Sequence, residues 1–200
     1  MDHATMDVAV IDSGSAQRRA TRALTRARGT TLLELVTTLG ILGVLLGAGV
    51  PGFAEVIERN RTTTVANRLL TDLARARGEA VTKASGAVVC PSADSRTCLQ
   101  SHNFSRGWLG FRDRDGDGAL DTGEVVFAIA QESDLQGRRV FTTAGRRSLR
   151  FRADGRNAGT NLTLRVCDAT GAPQRLLIVN VGGRARIAPA PVTTAPCPAS

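Results

Sequence analysis

At 200 residues the chain has room for one soluble domain beside a membrane segment. Its 26 basic side chains outnumber 18 acidic ones for a formal charge of +8, and all but Lys83 are arginines, a balance that favours acidic partners such as nucleic acid or anionic surfaces. Neither of the two histidines, His3 and His102, stands in a recognisable nucleophile or acid–base motif, so no enzyme is expected.

Residues 1–17 are small and polar, show no periodicity and read as disordered. From Arg18 the chain turns basic. Arg18, Arg19, Arg22, Arg26 and Arg28 stand against Asp2, Asp7 and Asp12, which leaves +6 from Thr30 onward. Next comes Gly29-Thr30-Thr31-Leu32-Leu33-Glu34-Leu35, and then an uncharged run to Val50 and Pro51. Residues 30–50 number 21, about the ~20 that a helix needs to cross a bilayer core. Glu34 is out of place there: an acid within such a segment costs on the order of 3 kcal/mol on insertion scales and marks a functional site by default. The arginines before Gly29 hold that end in the cytoplasm and send the C-terminal part outside. A secretory signal peptide has a shorter apolar core followed by a small-x-small cut site, and Gly49-Val50-Pro51 is a poor one. A plain signal anchor accounts for the length and the arginines, but not for a glutamate five residues after the glycine.

The stretch from Gly29 to Glu34 resembles the processing site of type IV pilins and of the pseudopilins of type II secretion. The resemblance implies that a prepilin peptidase cuts between Gly29 and Thr30 and methylates the new amine of Thr30. It implies that Glu34, fifth in the mature chain, pairs with the N-terminal amine of a neighbouring subunit, and that Pro51 kinks the helix. Thr30 departs from the phenylalanine that the family favours at the first mature position.

After Pro51 an apolar stripe recurs at spacings of three and four through Phe53, Val56, Ile57, Val65, Leu69, Leu70, Leu73, Ala76 and Ala80. Arg59, Arg61, Arg68, Arg75 and Arg77 lie mostly off it. This predicts one long helix, apolar all round in its first half, amphipathic in its second and ended by Gly86. Strand patterns follow at 86–90, 108–111, 125–129, 139–143, 148–152, 161–167, 175–181 and 184–188, the last two joined by a hairpin turn at Gly182-Gly183. A helix followed by an antiparallel sheet is an α+β order.

Within that order stand Gly107-Trp108-Leu109, an Asp/Gly loop ending in Gly123-Glu124, a cysteine strand near 167, Arg175, and a closing Gly183-Arg184-Ala185-Arg186. Together they resemble the GspH/FimT group of minor pilins and pseudopilins. The fold this implies is type IV pilin-like: a long N-terminal helix, transmembrane in its first half, packed on an antiparallel β-sheet domain. The expected division is a leader over 1–29, a transmembrane or filament-core helix over 30–51, an amphipathic helix over 52–85, a β domain over 86–188 and a Pro/Ala-rich tail over 189–200.

The four cysteines, Cys90, Cys98, Cys167 and Cys197, form no Cys-x2-Cys pair, and no histidine completes a zinc pattern. Disulfides in an oxidising periplasm are the expectation. Three pairings exist, and proximity in the chain favours Cys90–Cys98 with Cys167–Cys197.

Residues 113–124 fit the calcium-loop pattern of an EF-hand. Acids stand at positions 1, 3, 5, 9 and 12, with glycine at 6 and an apolar residue at 8. Asp113, Asp115, Asp117, Asp121 and Glu124 are thus candidate ligands for Ca²⁺, the one cofactor the sequence suggests. The flanks read as strands where an EF-hand has helices, and a polar turn held by its own Asp side chains is the other reading.

Arg184 and Arg186 alternate on a strand and so point the same way. Two guanidinium forks side by side suit successive phosphates. In the FimT subgroup a Gly-Arg-x-Arg motif near the C-terminus is associated with binding DNA for uptake, so the resemblance implies Arg184, Arg186 and Arg175 as contacts to double-stranded DNA. Arg146, Arg147, Arg150 and Arg152 widen the patch if the fold brings them near. The other reading is two solvated arginines on an edge strand, where charge discourages aggregation.

Two function classes follow: a type IV pilus minor pilin that binds DNA, and a GspH-type pseudopilin near the tip of the type II secretion pseudopilus. A plain anchored binding domain is a third. Either filament role implies other pilins or pseudopilins and the prepilin peptidase as partners. It also implies the bacterial inner membrane, crossed once with the C-terminal domain in the periplasm.

Overall fold

The computed structural model describes residues 29–199, excepting the side chains of residues 48–55. The expected disorder of residues 1–17 and the basic leader up to Arg28 lie outside the described residues. The first element is α1 (Leu32–Thr82), and the Thr31 hydroxyl accepts the Glu34 amide at 3.2 Å in the manner of an N-cap. Gly29 and Thr30 therefore stand exposed and outside the helix.

The chain falls into two units, one ending at Leu45 and one beginning at Leu46. In the first, Leu32, Leu33, Val36, Ile41 and Val44 are all more than half exposed. Among the described residues no helix is long and apolar enough to cross a membrane. The expected span 30–50 ends among residues whose side chains lie outside the described ones.

In the second unit α1 buries Thr62, Val65, Ala66, Leu69, Leu73, Ala76 and Ala80, spaced by three and four. Val56 and Ile57, expected on that stripe, are about half exposed. The strands begin to cover the helix only near Glu58, whose carboxylate takes the buried Arg138 guanidinium. The helix also stops earlier than Gly86. Ala84 adopts the left-handed conformation (φ 48°), and the Ser85 amide turns back to the Ala80 carbonyl at 3.1 Å. Gly86 opens the first strand instead.

Eight strands follow: β1 (Gly86–Pro91), β2 (Gly107–Asp113), β3 (Val126–Gln131), β4 (Arg139–Thr142), β5 (Leu149–Phe151), β6 (Leu162–Cys167), β7 (Pro173–Val179) and β8 (Ala185–Pro189). They form two four-stranded antiparallel sheets where a single sheet was expected, in the orders β3-β2-β1-β5 and β4-β6-β7-β8. The chain changes sheet around β5, which pairs with β1. One core serves both sheets. Leu69 and Leu73 of the helix cluster with Val89 and Trp108 of the first sheet and with Leu164 and Leu177 of the second. The Trp108 indole donates to Asp72 at 2.8 Å, so the only tryptophan is pinned to the helix.

Both favoured disulfides are present, with Cα atoms 5.5 Å apart for Cys90–Cys98 and 6.2 Å for Cys167–Cys197. The second holds the tail, whose Ala195 carbonyl accepts from Arg165 at 2.8 Å. The β6–β7 turn is organised by Asp168, whose carboxylate accepts the Thr170 and Ala172 amides, the Thr170 hydroxyl and the Gln174 amide group. Partial burial works to raise this carboxyl, and the hydrogen bonds from Thr170, Gln174 and the two amides outweigh it and hold it below its ordinary value.

A depressed folded value makes the contribution of Asp168 complete above the unfolded carboxylate range near ~3.9 and lost as pH falls through the folded value. Asp168→Asn is therefore expected to destabilise the protein at neutral pH, with the gap to wild type closing in acid. Unfolding followed by Trp108 fluorescence at pH values on both sides of that range checks this.

Candidate functional site

Thr31-Leu32-Leu33-Glu34 has the Thr-x-x-Glu spacing of a helix capping box, and the hydroxyl half of it is formed. The consequence is a helix that starts at Leu32 and leaves the Gly29–Thr30 bond in exposed, non-helical chain, the form in which a peptidase can engage it. The Glu34 residue is exposed, and its carboxylate has no partner among the described residues.

The acidic loop between β2 and β3 is built differently from a calcium loop. Carboxylate oxygens of Asp113, Asp115 and Asp117 lie within 4.8 Å of one another, but Asp121 and Glu124 are not part of that group. The two Glu124 oxygens accept the Arg114 amide at 2.7 Å and the Asp121 amide at 3.2 Å, closing the far end of the loop on its own backbone. At the near end Asp113 is buried, accepts the Gly116 amide at 2.8 Å and pairs with Arg150 of β5 at 2.9 Å. The same guanidinium donates to the Gly116 carbonyl. A cation already sits on the first ligand position, and it belongs to the protein. Repulsion from Asp117, then burial and the remaining acids, pushes the exposed Asp121 carboxyl up. The full five-residue ligand set of an EF-hand is not assembled.

Arg184 and Arg186 lie at the β7–β8 hairpin. The connection differs from a two-residue turn. The Gly183 amide bonds to the Asn180 carbonyl at 2.9 Å, Asn180 and Arg184 pair at 3.0 Å, and Gly183 takes a positive φ of 75°. This is the three-residue hairpin in which a turn is followed by a left-handed glycine. Ala185 and Ile187 face the core and pair with Val179 and Leu177. Arg186 pairs with Ile178 on the other face, so alternation aims Arg184 and Arg186 outward, and both are exposed. Arg175 shares the parity of buried Leu177 and Val179 and sits on the opposite face. Its guanidinium donates to the Gln174 carbonyl.

The other arginines weighed for the patch are mostly engaged. Arg146 reaches Asn157 and Ala158, Arg147 reaches Gln100, and Arg150 closes the acidic loop. Arg152 is exposed in the turn after β5. Sequence reasoning missed what lies beneath the hairpin. Gly183 packs on the Gly155 carbonyl, where a Cβ would overlap the oxygen, and Arg77 of α1 donates its Nε–H to the same carbonyl at 3.0 Å. Asp154-Gly155 carries a turn signal, but nothing local tells which distant turn it will meet.

Because Arg150 supplies the charge that Asp113 needs, stripping divalent metal with a chelator is expected to leave the unfolding midpoint unchanged. Arg150→Gln should lower stability by about 2 kcal/mol, the size of a hydrogen bond to a charged group. A wild-type midpoint that rises with added calcium would contradict this.

The comparisons with known proteins bear on the β domain. Residues 65–183 match the family described as type II transport protein GspH, over more than half of the chain. No curated protein sequence matches. Among solved structures, the type IV minor pilin FimU of Pseudomonas aeruginosa superposes with a TM-score of 0.51 at 21% identity, covering 70% of this chain and 95% of that one. The minor pseudopilin EpsH from the type 2 secretion system of Vibrio cholerae gives a TM-score of 0.40 at 13% identity, covering 67% and 99%. The helix-then-sheet order, the shared core and the match from Val65 to Gly183 agree: the chain belongs to the GspH family of type IV pilin-like proteins.

Proposed function

We propose that this chain is a non-catalytic minor pilin, anchored in the bacterial inner membrane and carried into a type IV filament, that binds duplex DNA through Arg184 and Arg186. The observation that carries the reading is the state of these two side chains. In a domain where Arg112, Arg138 and Arg150 are paired with carboxylates, Arg184 and Arg186 project together from an edge hairpin with no partner among the described residues. Paired guanidinium groups free of local carboxylates are what phosphate contacts require.

The N-terminal part of the proposal rests on residues 29–50. Prepilin peptidase cuts the exposed Gly29–Thr30 bond, and the exposed apolar side chains from Leu32 to Leu46 suit lipid or the core of a filament. Glu34 carries no partner among the described residues, and in either setting a lone carboxylate is unfavourable, so the Thr30 amine of a neighbouring subunit is its counter-charge. The periplasmic domain keeps its two disulfides and uses Arg150 in place of a bound calcium.

A second reading, a pseudopilin near the tip of a type II secretion pseudopilus with no DNA contact, draws on the family description. Duplex DNA binding by the full chain in detergent, measured over a salt series, separates the two. The minor-pilin reading expects salt-dependent binding, with Arg184→Ala/Arg186→Ala lowering the slope of log affinity against log salt by about 1.8, two phosphate contacts' worth. Absence of binding at low salt contradicts it and favours the secretion role.

A further inference from the structure

Two Gly-Arg pairs meet at one end of the β domain. Gly155-Arg156 closes the turn between β5 and β6, and Gly183-Arg184 closes the turn between β7 and β8. Both glycines hold positive φ, 77° and 75°, and the turns touch backbone to backbone, with the Gly155 carbonyl filling the space where a Gly183 side chain would begin. The Asn157 amide bonds to the Val181 carbonyl at 3.0 Å, a second tie between the turns. The helix locks the junction from below. Arg77 Nε donates to the Gly155 carbonyl at 3.0 Å, and a Cβ on Gly155 would stand 2.8 Å from the Val81 side chain. Arg156 and Arg184 are each one residue, about 3.8 Å of chain, from that contact.

The two arginines share a second property. Both are exposed, and neither guanidinium has a hydrogen bond or ion pair among the described residues. Asp154, the one carboxylate in its turn, has its Oδ1 engaged by the Arg156 amide at 2.9 Å. Arg77 takes the buried carbonyl, which leaves Arg156 and Arg184 to face outward from a junction of three elements. Duplex DNA carries one negative charge per about 1.7 Å of axis, so cations held this close on a common base meet neighbouring phosphates without ordering a loop on binding.

We infer that Arg156 is a phosphate-contacting residue of the same anion site, held beside Arg184 by the Gly155–Gly183 contact, so that the interface spans two turns and is wider than the Gly-Arg-x-Arg motif. This rests on the DNA reading above. It assigns the β5–β6 turn as the second arm of the site.

The test uses the full chain in detergent and a duplex of mixed sequence, titrated at several salt concentrations. The variants are Arg156→Ala, Arg156→Lys, Arg184→Ala/Arg186→Ala and Arg106→Ala. Arg106 is an exposed arginine just before β2, at the end of the first sheet away from Gly86 and Asp113, and serves as the control for net charge. The inference expects Arg156→Ala to weaken binding several-fold and to lower the salt slope by about 0.9. Arg156→Lys should recover most of the slope, and Arg106→Ala should leave it unchanged. Wild-type binding that falls with Arg184→Ala/Arg186→Ala but ignores Arg156→Ala overturns this inference and leaves the DNA reading standing. An equal loss from Arg106→Ala also overturns it, because binding then follows overall charge. Failure of wild type to bind at low salt removes the DNA reading and the inference with it.

Discussion

The structure of the β domain depends on one buried face of α1. Val65, Leu69, Leu73, Ala76 and Ala80 are almost completely excluded from water, and the residues they cluster with come from both sheets. Burying each leucine contributes roughly 1.5–3 kcal/mol, so this face outweighs any single polar contact in the domain. Within it a polar pin fixes the register of helix on sheet: the Trp108 indole bonds to Asp72. Burial pushes the Asp72 carboxyl up, against the indole bond and the charges of Arg68 and Arg75. The helix flank is also tied to the β3 edge, where Arg68 donates to the Ile129 carbonyl at 2.8 Å and pairs with Asp134 at 3.2 Å. An edge strand so engaged offers fewer free backbone groups for unwanted pairing.

On this frame the many arginines sort by whether the fold uses them. Arg138 meets Glu58 where the strands begin to cover the helix, Arg112 meets Glu79 at 3.0 Å, and Arg150 holds Asp113. Arg138, the buried one of the three, needs such a partner most. Arg156 and Arg184 beside the Gly155–Gly183 contact have no such partner among the described residues, as is also true of the exposed Arg106 and Arg152. The matched family region ends at Gly183, one residue before Arg184. Membership in the family therefore does not rest on Arg184 or Arg186, whereas Arg156 lies inside the matched region.

Much of the fold was legible because it is written in short periods. The spacing of Leu69, Leu73, Ala76 and Ala80 gave the helix face, and all eight strand patterns lie within two residues of the observed strands. Chain proximity also gave the disulfide pairs. Three things were not legible, each because it depends on contacts distant in sequence. Alternation cannot tell which strands share a sheet, so the pairing of β5 with β1 and the resulting second sheet were missed. The tie between Asp113 and Arg150, 37 residues later, cannot be read from the spacing of the acidic loop itself. Arg175 looks like a neighbour of Arg186 until strand parity turns it to the other face.

Every filament role proposed for the chain requires that it lose its leader at one bond. The most direct measurement is mass spectrometry of the N-terminus of the full chain, purified from bacterial membranes that contain an active prepilin peptidase. The account predicts a mature protein that begins at N-methylated Thr30, with Glu34 fifth. A chain that keeps residues 1–29 in the presence of the active peptidase, or that is cut after the apolar segment, would contradict it.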